Sequence, residues 1–438
     1  MSPRRVPFNV VDQSIFLLDQ EPETWSVHCE VRVPGPLDSE RVAAAARAAA
    51  ARHPMARARI ASFRPWDRRL FWEIPDQVDH LPLEIVDASD EGALDGARAR
   101  LLSRRLNLDS SPPFALTLAH RRGGDSLIMN LHHAAADGIS AYRLMTSIAR
   151  AYAGVEDPVP DLDPLAVRSL RRGVGAHSPG LAMIRARQLK DQLAEIRSEG
   201  PAARVVSEGG VDGATGYGFH LLRLGPEETE AVMMRRRRPA TVNDLLVAGL
   251  ALAVRRFNGE RGRGPGRISA MMPVNLRPDD WSEEVVANIL SFVSVSVLAG
   301  EQSDLATAQL AVAGRTRALK DTRLSGTIID LLRLFDVLPV GAQRFLARIP
   351  RRLAAPALDT AILSNLGRRA MPLHFGDGAG PVTELWFSPP GQMPVCTAIG
   401  AATMNDEMFL TLRYCRRHFD AAGAAAFAAA WREALLGA

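Results

Sequence analysis

An apolar strand, a short polar loop and an amphipathic helix follow one another in the first half of the chain, and they constrain its fold more than any other segment. Residues 126–133 are predicted to form the strand and residues 139–152 the helix. Between them residues 132–138 read HHAAADG, the pattern HHxxxDG. Loops that follow strands in α/β proteins often carry binding or catalytic residues, so this segment is the first candidate site.

Strands and helices alternate along both halves of the chain, and that order predicts an α/β fold. At 438 residues the chain is longer than one hydrophobic core usually serves, so we expect two lobes. A Pro- and Asp-rich stretch over 154–165 and a Gly- and Ala-rich stretch over 199–216 are typical of boundaries. We predict an N-terminal lobe over 1–165, a connector over 166–216 and a C-terminal lobe over 217–438.

The predicted elements follow from the period of the apolar residues. In the first strand, 25–33, apolar and polar residues alternate strictly, which predicts a buried Cys29 and a surface imidazole at His28. The further predicted strands are 114–120 and 126–133 (a hairpin through Gly123-Gly124), 218–224, 268–274, 289–298, 382–388, 395–403 and 407–415. The predicted helices are 39–53, 93–106, 139–152, 168–197 with an interruption near 173–180, 226–237, 241–257, 304–321, 325–349 and 420–436.

Composition excludes several classes of protein. The formal net charge is +4, and no basic stripe is interleaved with aromatic residues, so we expect no nucleic-acid partner. Three cysteines without a CxxC pair give neither a zinc signature nor a disulfide framework. The N-terminus has no apolar signal segment, and no apolar run reaches the roughly 18 residues of a membrane span. We therefore expect a cytoplasmic protein without a transmembrane segment, and a monomer.

The two histidines of the loop should have different surroundings, because neighbouring side chains on a strand point to opposite faces. His132 and His133 therefore cannot easily hold one metal ion together, and no third ligand stands at a convincing spacing, so we expect no metal. A histidine is the natural general base near neutral pH. Asp137 could bond back to the imidazole or hold the loop by pairing with an arginine elsewhere. Gly138 allows a turn where a side chain would clash.

The HHxxxDG pattern resembles the signature of the chloramphenicol-acetyltransferase-like superfamily. That group includes nonribosomal-peptide condensation domains, polyketide-associated acyltransferases and wax ester synthase/diacylglycerol acyltransferases. Four other segments resemble segments of the superfamily in the same order: 11–18 at the N-terminus, 240–246 at a helix start, 273–277 with Asn288 beyond it, and 363–367 on a late strand. The resemblance covers nearly the whole chain.

The resemblance implies two similar lobes, each a mixed sheet with flanking helices, and a solvent tunnel between them that donor and acceptor enter from opposite mouths. It implies that His133 is the catalytic histidine and that His132 is structural. Asp137 is then mainly architectural and pairs with an arginine, for which we choose Arg277. The candidates for contacts with the substrate or the oxyanion are Ser140, Asn288, Ser364 and Asn365.

The activity that the resemblance implies is acyl transfer from a thioester, on coenzyme A or a carrier protein, to a hydroxyl or an amine. The histidine acts as general base, and no bound cofactor is expected. The expected partners are the acyl thioester, a small-molecule acceptor and an acyl or peptidyl carrier protein as one possible donor. The length fits one catalytic unit, which predicts a free-standing enzyme of secondary-metabolite or lipid biosynthesis. The alternatives are a wax-ester-synthase-like enzyme and a non-catalytic relative that binds an acyl ligand or a carrier protein.

Overall fold

The computed structural model describes residues 3–19, 23–158, 163–168, 178–277, 284–321, 326–347, 358–369 and 373–437. The strands of the first half are β1 (Arg4–Pro7), β2 (Ser26–Arg32), β3 (Arg59–Ile60), β4 (Phe71–Ile74), β5 (Leu83–Asp87), β6 (Phe114–His120) and β7 (Ser126–His132). Its helices are α1 (Val10–Leu18), α2 (Ser39–Arg52), α3 (Glu91–Ser103), α4 (Gly138–Ala153) and α5 (Pro179–Glu199).

The second half has a similar mixture of elements. Its strands are β8 (Tyr217–Leu224), β9 (Ile268–Asn275), β10 (Leu290–Val297), β11 (Ala361–Arg369), β12 (Glu384–Ser388), β13 (Thr397–Met404) and β14 (Glu407–Cys415). Its helices are α6 (Pro226–Met234), α7 (Val242–Glu260), α8 (Leu305–Asp321), α9 (Thr327–Arg333), α10 (Val340–Ala347) and α11 (Ala421–Leu436).

Two large sheets form the centres of two lobes. The N-terminal sheet has the order β12-β2-β7-β6-β5 and is antiparallel except for the parallel pair β5–β6. The C-terminal sheet has the order β10-β9-β11-β13-β14-β8, in which β11 runs parallel to both of its neighbours. A small sheet, β1-β4-β3, stands beside them. The predicted α/β architecture with two sheet-containing lobes is confirmed.

One strand from the second half completes the N-terminal sheet. β12 pairs antiparallel with β2, from Glu384 opposite Arg32 to Ser388 opposite His28. This strand lies inside the range 217–438 that was predicted for the C-terminal lobe. The second half of the chain therefore contributes one strand to the N-terminal sheet. The limits of the lobes stay a prediction, but the sheets are not built from separate halves of the sequence.

Acidic and hydroxyl side chains fix where the helices begin. Asp38, Asp90, Asp137 and Asp420 each accept a hydrogen bond from a backbone N–H in the first turn of α2, α3, α4 and α11, respectively. Thr241 and the third residue of α7 form a reciprocal capping box. Such caps satisfy backbone donors that a helix leaves unpaired and stabilise its start by about 1 kcal/mol each. The helix that follows the HHxxxDG loop therefore starts at the aspartate of the motif itself.

The prediction of an exposed polar face on the strand 25–33 is wrong. Every residue of β2 is buried, including His28, whereas Cys29 is the buried thiol that was predicted. The polar face of β2 packs against α3, where Arg98 binds Glu30, and against β8, where the Phe219 ring lies 5.4 Å from the His28 ring. Side chains of neighbouring elements cover that face instead of water. Alternation of polar and apolar residues predicts a polar face, but it does not show whether that face is solvated or covered by other side chains.

Other differences concern the ends and number of elements. The single helix predicted over 325–349 is the pair α9 and α10, separated by a short 3-10 turn and Pro339. The helix predicted over 168–197 is described from Pro179 onward, and 169–177 lie outside the described residues. No strands were predicted at β1, β3, β4 and β5. Within the described ranges, none of the helices combines the length and the apolarity that a membrane-spanning helix needs.

Candidate active site

The HHxxxDG loop lies at the end of β7, in the middle of the N-terminal sheet. The N–H of His132 donates to the carbonyl of Pro113, 2.9 Å away, and the N–H of His133 donates to the carbonyl of Trp25, also 2.9 Å away. The backbone of both histidines is thus held by the strands on either side. The two side chains have different neighbours, as the strand geometry predicted.

The ring of His132 is held inside the N-terminal lobe. Its Nδ1 accepts a hydrogen bond of 3.1 Å from the N–H of Ala134, and its Nε2 lies 3.3 Å from Asp19 Oδ2. Because Nδ1 is the acceptor, the ring proton is on Nε2, facing the carboxylate. Burial alone would raise the pKa of Asp19, but hydrogen bonds from His132, from the Trp25 N–H and from Arg105 lower it to about 2. Both ring nitrogens of His132 are occupied within the protein.

The ring of His133 lies against a cavity between the lobes. The residue is 5% exposed, and its buried Nδ1 has no hydrogen-bond partner among the described residues. Burial lowers the pKa of His133 from its ordinary value, although Asp137 and the carbonyls of His133 and Ala136 oppose this shift. A histidine with a lowered pKa is neutral near pH 7 and can accept a proton.

Asp137 and Arg277 form a buried ion pair with two parallel hydrogen bonds. Arg277 Nη1 lies 2.8 Å from Asp137 Oδ2, and Nη2 lies 2.9 Å from Oδ1. Asp137 also accepts bonds from the N–H groups of Ser140 and Ile289. Burial opposes ionisation, but Arg277 and these donors keep the pKa of Asp137 below its usual range. The pair joins α4 of one lobe to the segment after β9 of the other, which is the pairing expected from the sequence.

Ser140 and Asn288 do not face the cavity. The Ser140 hydroxyl is fully buried and lies 2.9 Å from Asp137 Oδ1 and from both the carbonyl and the N–H of Ala287. The amide of Asn288 donates to the carbonyl of His133 at 2.5 Å and to that of Ala134 at 2.9 Å. These two residues, considered from the sequence as substrate contacts, instead brace the histidine loop from within.

The cavity in front of His133 has a volume of about 100 Å³ and is lined by both lobes. Ser364 and Asn365 of β11 line it, as the sequence suggested. The amide of Asn365 is already bonded to Asn243 and to the N–H of Gly367. The Ser364 hydroxyl makes no hydrogen bond within the described part of the chain and is available to a ligand.

Gly138 is required by a close neighbour. A Cβ at this position would lie 2.7 Å from two ring atoms of Phe387, whose side chain is buried in β12. The ring of Phe387 in β12 therefore leaves no room for a side chain at position 138. Phe387, Trp25 and Asp19 are site residues that the sequence reasoning missed, because no spacing links them to the motif.

No group of three or more His, Cys, Asp or Glu side chains among the described residues is arranged to hold a metal ion. The cavity adjoins two others. It shares Trp25, Met271 and Phe292 with a cavity beside α1, and Pro273 and Asn275 with a cavity beside the start of α7. The cavity in front of His133 therefore has a neighbouring cavity beside α1 and another beside the start of α7.

Comparison with known proteins agrees with this geometry. The family model named Condensation domain matches residues 15–163, which include the HHxxxDG loop. A protein of Mycobacterium tuberculosis described as uncharacterised, present in two strains, is 36% identical over 424 residues, which cover 96% of this chain and 97% of that protein.

Solved structures with a similar fold include acyl-transferring proteins. The TRI3 trichothecene 15-O-acetyltransferase of Fusarium sporotrichioides has a TM-score of 0.71 at 13% identity, covering 99% of this chain and 95% of that one. The starter condensation domain of rhizomide synthetase RzmA, a mutant solved in complex with C8-CoA and Leu-SNAC, has a TM-score of 0.67 at 14% identity, covering 98% and 94%. At such identities the similarity concerns the fold.

Proposed function

The chain belongs to the condensation-domain family within the chloramphenicol-acetyltransferase-like superfamily, and from that premise we propose that it moves an acyl group from a thioester donor to a hydroxyl or amine acceptor. Family and fold support acyl transfer in general. The finer proposal is an enzyme of secondary-metabolite or lipid biosynthesis in the cytoplasm. Its donor is acyl-coenzyme A or an acyl carrier protein, and it needs no bound cofactor.

The observation that carries this proposal is the position of His133. Its ring lies at a cavity lined by both lobes, its Nδ1 is buried, and its pKa is lowered by burial. Nε2 is therefore the nitrogen left to meet a substrate, and it is unprotonated near pH 7 if the proton is on Nδ1. A neutral imidazole at a cavity that a substrate can reach is what general-base catalysis requires.

The proposed reaction needs one base and no covalent enzyme intermediate. The acceptor oxygen or nitrogen attacks the thioester carbonyl carbon while His133 Nε2 takes the acceptor's proton. The carbon–sulfur bond of the tetrahedral intermediate then breaks, and the imidazolium returns the proton to the leaving thiolate. General-base assistance of this kind contributes about 10²–10⁴-fold to the rate.

The intermediate carries negative charge on the former carbonyl oxygen, and a donor must face it. We assign the Ser364 hydroxyl to this task, since it lines the same cavity without an internal partner. Asn365 next to it is already bonded to Asn243 at 2.7 Å and contributes to the shape of the cavity instead. Loss of one oxyanion donor costs about 10²–10³-fold where it has been measured in other enzymes.

The ion pair of Asp137 and Arg277 acts as a positioning device in this proposal. Both carboxylate oxygens are occupied by Arg277, Ser140 and Ile289, so Asp137 is not placed to take a proton from His133. Its bonds to the second lobe hold the histidine loop in place. Accurate positioning of a base relative to its substrate supports the rate as much as the base does.

The test is incubation with a panel of acyl-coenzyme A and acyl-carrier-protein donors together with alcohol and amine acceptors. Release of free thiol is measured, and the acylated product is identified by its mass. We expect acceptor-dependent thiol release that His133→Ala lowers by about 10²–10⁴-fold. The matched control is His80→Ala, an exposed histidine of the same lobe that should keep the wild-type rate.

Two results would overturn the proposal. Full activity of His133→Ala on the true substrates would remove the base from the mechanism. Tight binding of donors without any transfer to any acceptor would favour the non-catalytic relative that binds an acyl ligand. Binding of His133→Ala to the donor, measured by calorimetry, separates loss of chemistry from loss of folding.

A further inference from the structure

An apolar channel adjoins the cavity in front of His133. It has a volume of about 260 Å³ and runs between α1, α5, α9 and the face of the C-terminal sheet formed by β9 and β10. Trp25, Met271 and Phe292 line both spaces, so the channel lies directly beside the catalytic cavity. The side chains that line its middle and outer parts include Val11, Ile15, Leu18, Leu189, Leu331 and Leu332.

Among the described residues that line the channel none is charged, and the hydroxyl groups of the lining have partners within the protein. Ser14 donates to the carbonyl of Val10, 2.8 Å away in the same helix. Thr327 donates to Gln188, and Ser294 donates to Asp359. The channel therefore offers dispersion contacts and few hydrogen bonds, which suits a hydrocarbon and not a polar ligand.

The residues of α5 and α9 that line the channel are partly exposed. Gln188, Leu189 and Gln192 of α5 are half-buried there. Arg185 of α5 forms an ion pair with Asp330 of α9, so the two helices are joined beside the channel. Exposed apolar side chains lie on the same two segments: Met183 is 71% exposed, and Leu334, directly after α9, is 67% exposed.

The space on the other side of the catalytic cavity has a different character. Thr241, Asn243, Asp244, Asn275 and Thr316 line the cavity at the start of α7. Among the described residues, half of the side chains that line this cavity are polar, whereas fewer than a third of those that line the channel beside α1 are polar. A thioester whose carbonyl lies at His133 has one apolar and one polar arm. The two spaces match those arms in chemistry.

We propose that the channel between α1, α5 and α9 binds the hydrocarbon tail of the donor, so that the substrate class of this protein is medium- to long-chain aliphatic acyl thioesters. This inference rests on the proposed function, because the carbonyl is placed at His133. The tail extends from Trp25 and Phe292 toward α5, and the remainder of the donor lies on the polar side. Acetyl-sized donors leave the channel empty and gain nothing from it.

The test measures binding and turnover along a chain-length series of acetyl-, butyryl-, octanoyl-, dodecanoyl- and palmitoyl-coenzyme A. Each methylene buried in an apolar site is worth up to about fourfold in affinity. We expect the dissociation constant from calorimetry to fall steeply from butyryl- to dodecanoyl-coenzyme A. We expect kcat/KM to rise over the same range.

A blocking variant and its matched control locate the tail. Gln192→Trp places a large ring at the outer part of the channel, and we expect it to weaken palmitoyl- far more than butyryl-coenzyme A, by at least about tenfold in their ratio. Lys190→Trp adds the same ring on the exposed side of α5 and should leave the ratio unchanged. A melting curve of each variant shows whether it is folded.

The outcomes separate this inference from the proposed function. Transfer with equal preference for acetyl and long-chain donors, or with a ratio insensitive to Gln192→Trp, overturns the channel assignment and leaves acyl transfer standing. Chain-length-dependent binding that Gln192→Trp weakens, without transfer to any acceptor, overturns the proposed function and supports the tail site. A chain-length preference that follows the acceptor alcohol instead of the donor assigns the channel to the acceptor and overturns the inference as stated.

Discussion

Two buried networks in this protein contain the same three kinds of side chain and differ in what surrounds them. The site network consists of His133, Asp137 and Arg277, and the core network consists of His28, Glu30 and Arg98. In both, the arginine holds the carboxylate by two hydrogen bonds: 2.8 and 2.9 Å at the site, and 2.6 and 2.9 Å in the core. In both, burial lowers the pKa of the histidine.

The histidine is where the two networks differ. His28 lies 3.3 Å from Glu30 and 3.4 Å from the Ser388 hydroxyl, so both of its ring nitrogens face partners within the protein. His133 has a buried Nδ1 without a partner and lines a cavity that both lobes share. A buried histidine near a carboxylate is thus not by itself a site. The catalytic candidate is distinguished by a ring that lines a cavity, as that of His133 does.

The largest expected difference is kinetic. His133→Ala should lower kcat/KM by about 10²–10⁴-fold, because the base is removed. His28→Ala should leave kcat/KM of the folded protein unchanged but lower the free energy of unfolding by about 2–5 kcal/mol, as for other large buried side chains. Steady-state kinetics and urea denaturation on both variants provide the measurement. If His28→Ala lowered kcat/KM as much as His133→Ala does, the core network would also take part in catalysis and the comparison would be wrong.

Removal of either arginine should cost stability in both networks. Arg277→Ala and Arg98→Ala each remove the arginine that holds a buried carboxylate by two hydrogen bonds, for which we expect a loss of about 3–5 kcal/mol in the free energy of unfolding. The loss should be the smaller one for Arg98→Ala, because Glu30 keeps Arg32 at 3.5 Å. Only Arg277→Ala should also lower kcat, since Asp137 then no longer holds the histidine loop against the second lobe. Chemical denaturation and kinetics under native conditions separate the two effects.

A double-mutant cycle tests the pair itself. In Asp137→Ala combined with Arg277→Ala no unpaired charge remains, so the loss of stability should be smaller than the sum of the single losses. Additive losses would mean that the two residues do not interact in solution. The same cycle on Glu30 and Arg98 is the internal reference for a buried pair that lies away from the cavity.

A smaller loss of stability is expected where β12 contacts the HHxxxDG loop. Gly138→Ala places a methyl group 2.7 Å from the ring of Phe387, and overpacking of this kind costs about 1–3 kcal/mol. Combination with Phe387→Leu should recover part of that loss, because the ring is the obstacle. Thermal unfolding of the two single variants and the double variant measures this. No recovery in the double variant would show that the strain lies in the backbone.

The residues of the loop that carries the site were predictable because they are local. The strand–loop–helix order around HHxxxDG and the separation of His132 from His133 follow from spacing along the chain, whereas the cap at Asp137 was not predicted. The choice of Arg277 as partner of Asp137 came from resemblance, and the structure contains that pair. The catalytic role of His133 stays a prediction.

The parts that escaped prediction depend on contacts between distant segments. The polar face of β2 was read as exposed, because a sequence cannot show that Arg98 covers Glu30. Ser140 and Asn288 were considered substrate contacts, but their polar groups are used within the loop and its supports. The insertion of β12 into the N-terminal sheet had no local signal, since its hydrophobic pattern fits either sheet.

The smallest expected effect concerns the pH dependence of stability and of kcat/KM, in which His133 and His28 should differ. Burial lowers the pKa of both in the folded protein, whereas in the unfolded chain both titrate near about 6.5. The stability that they contribute is thus fully present above that pH and decreases as the pH falls toward the lowered values. The acid limb of kcat/KM, which reports on His133 alone, should lie below pH about 6.5. His28→Leu should reduce the acid sensitivity of the free energy of unfolding and leave that limb in place; movement of the limb would mean that His28 is coupled to the chemistry.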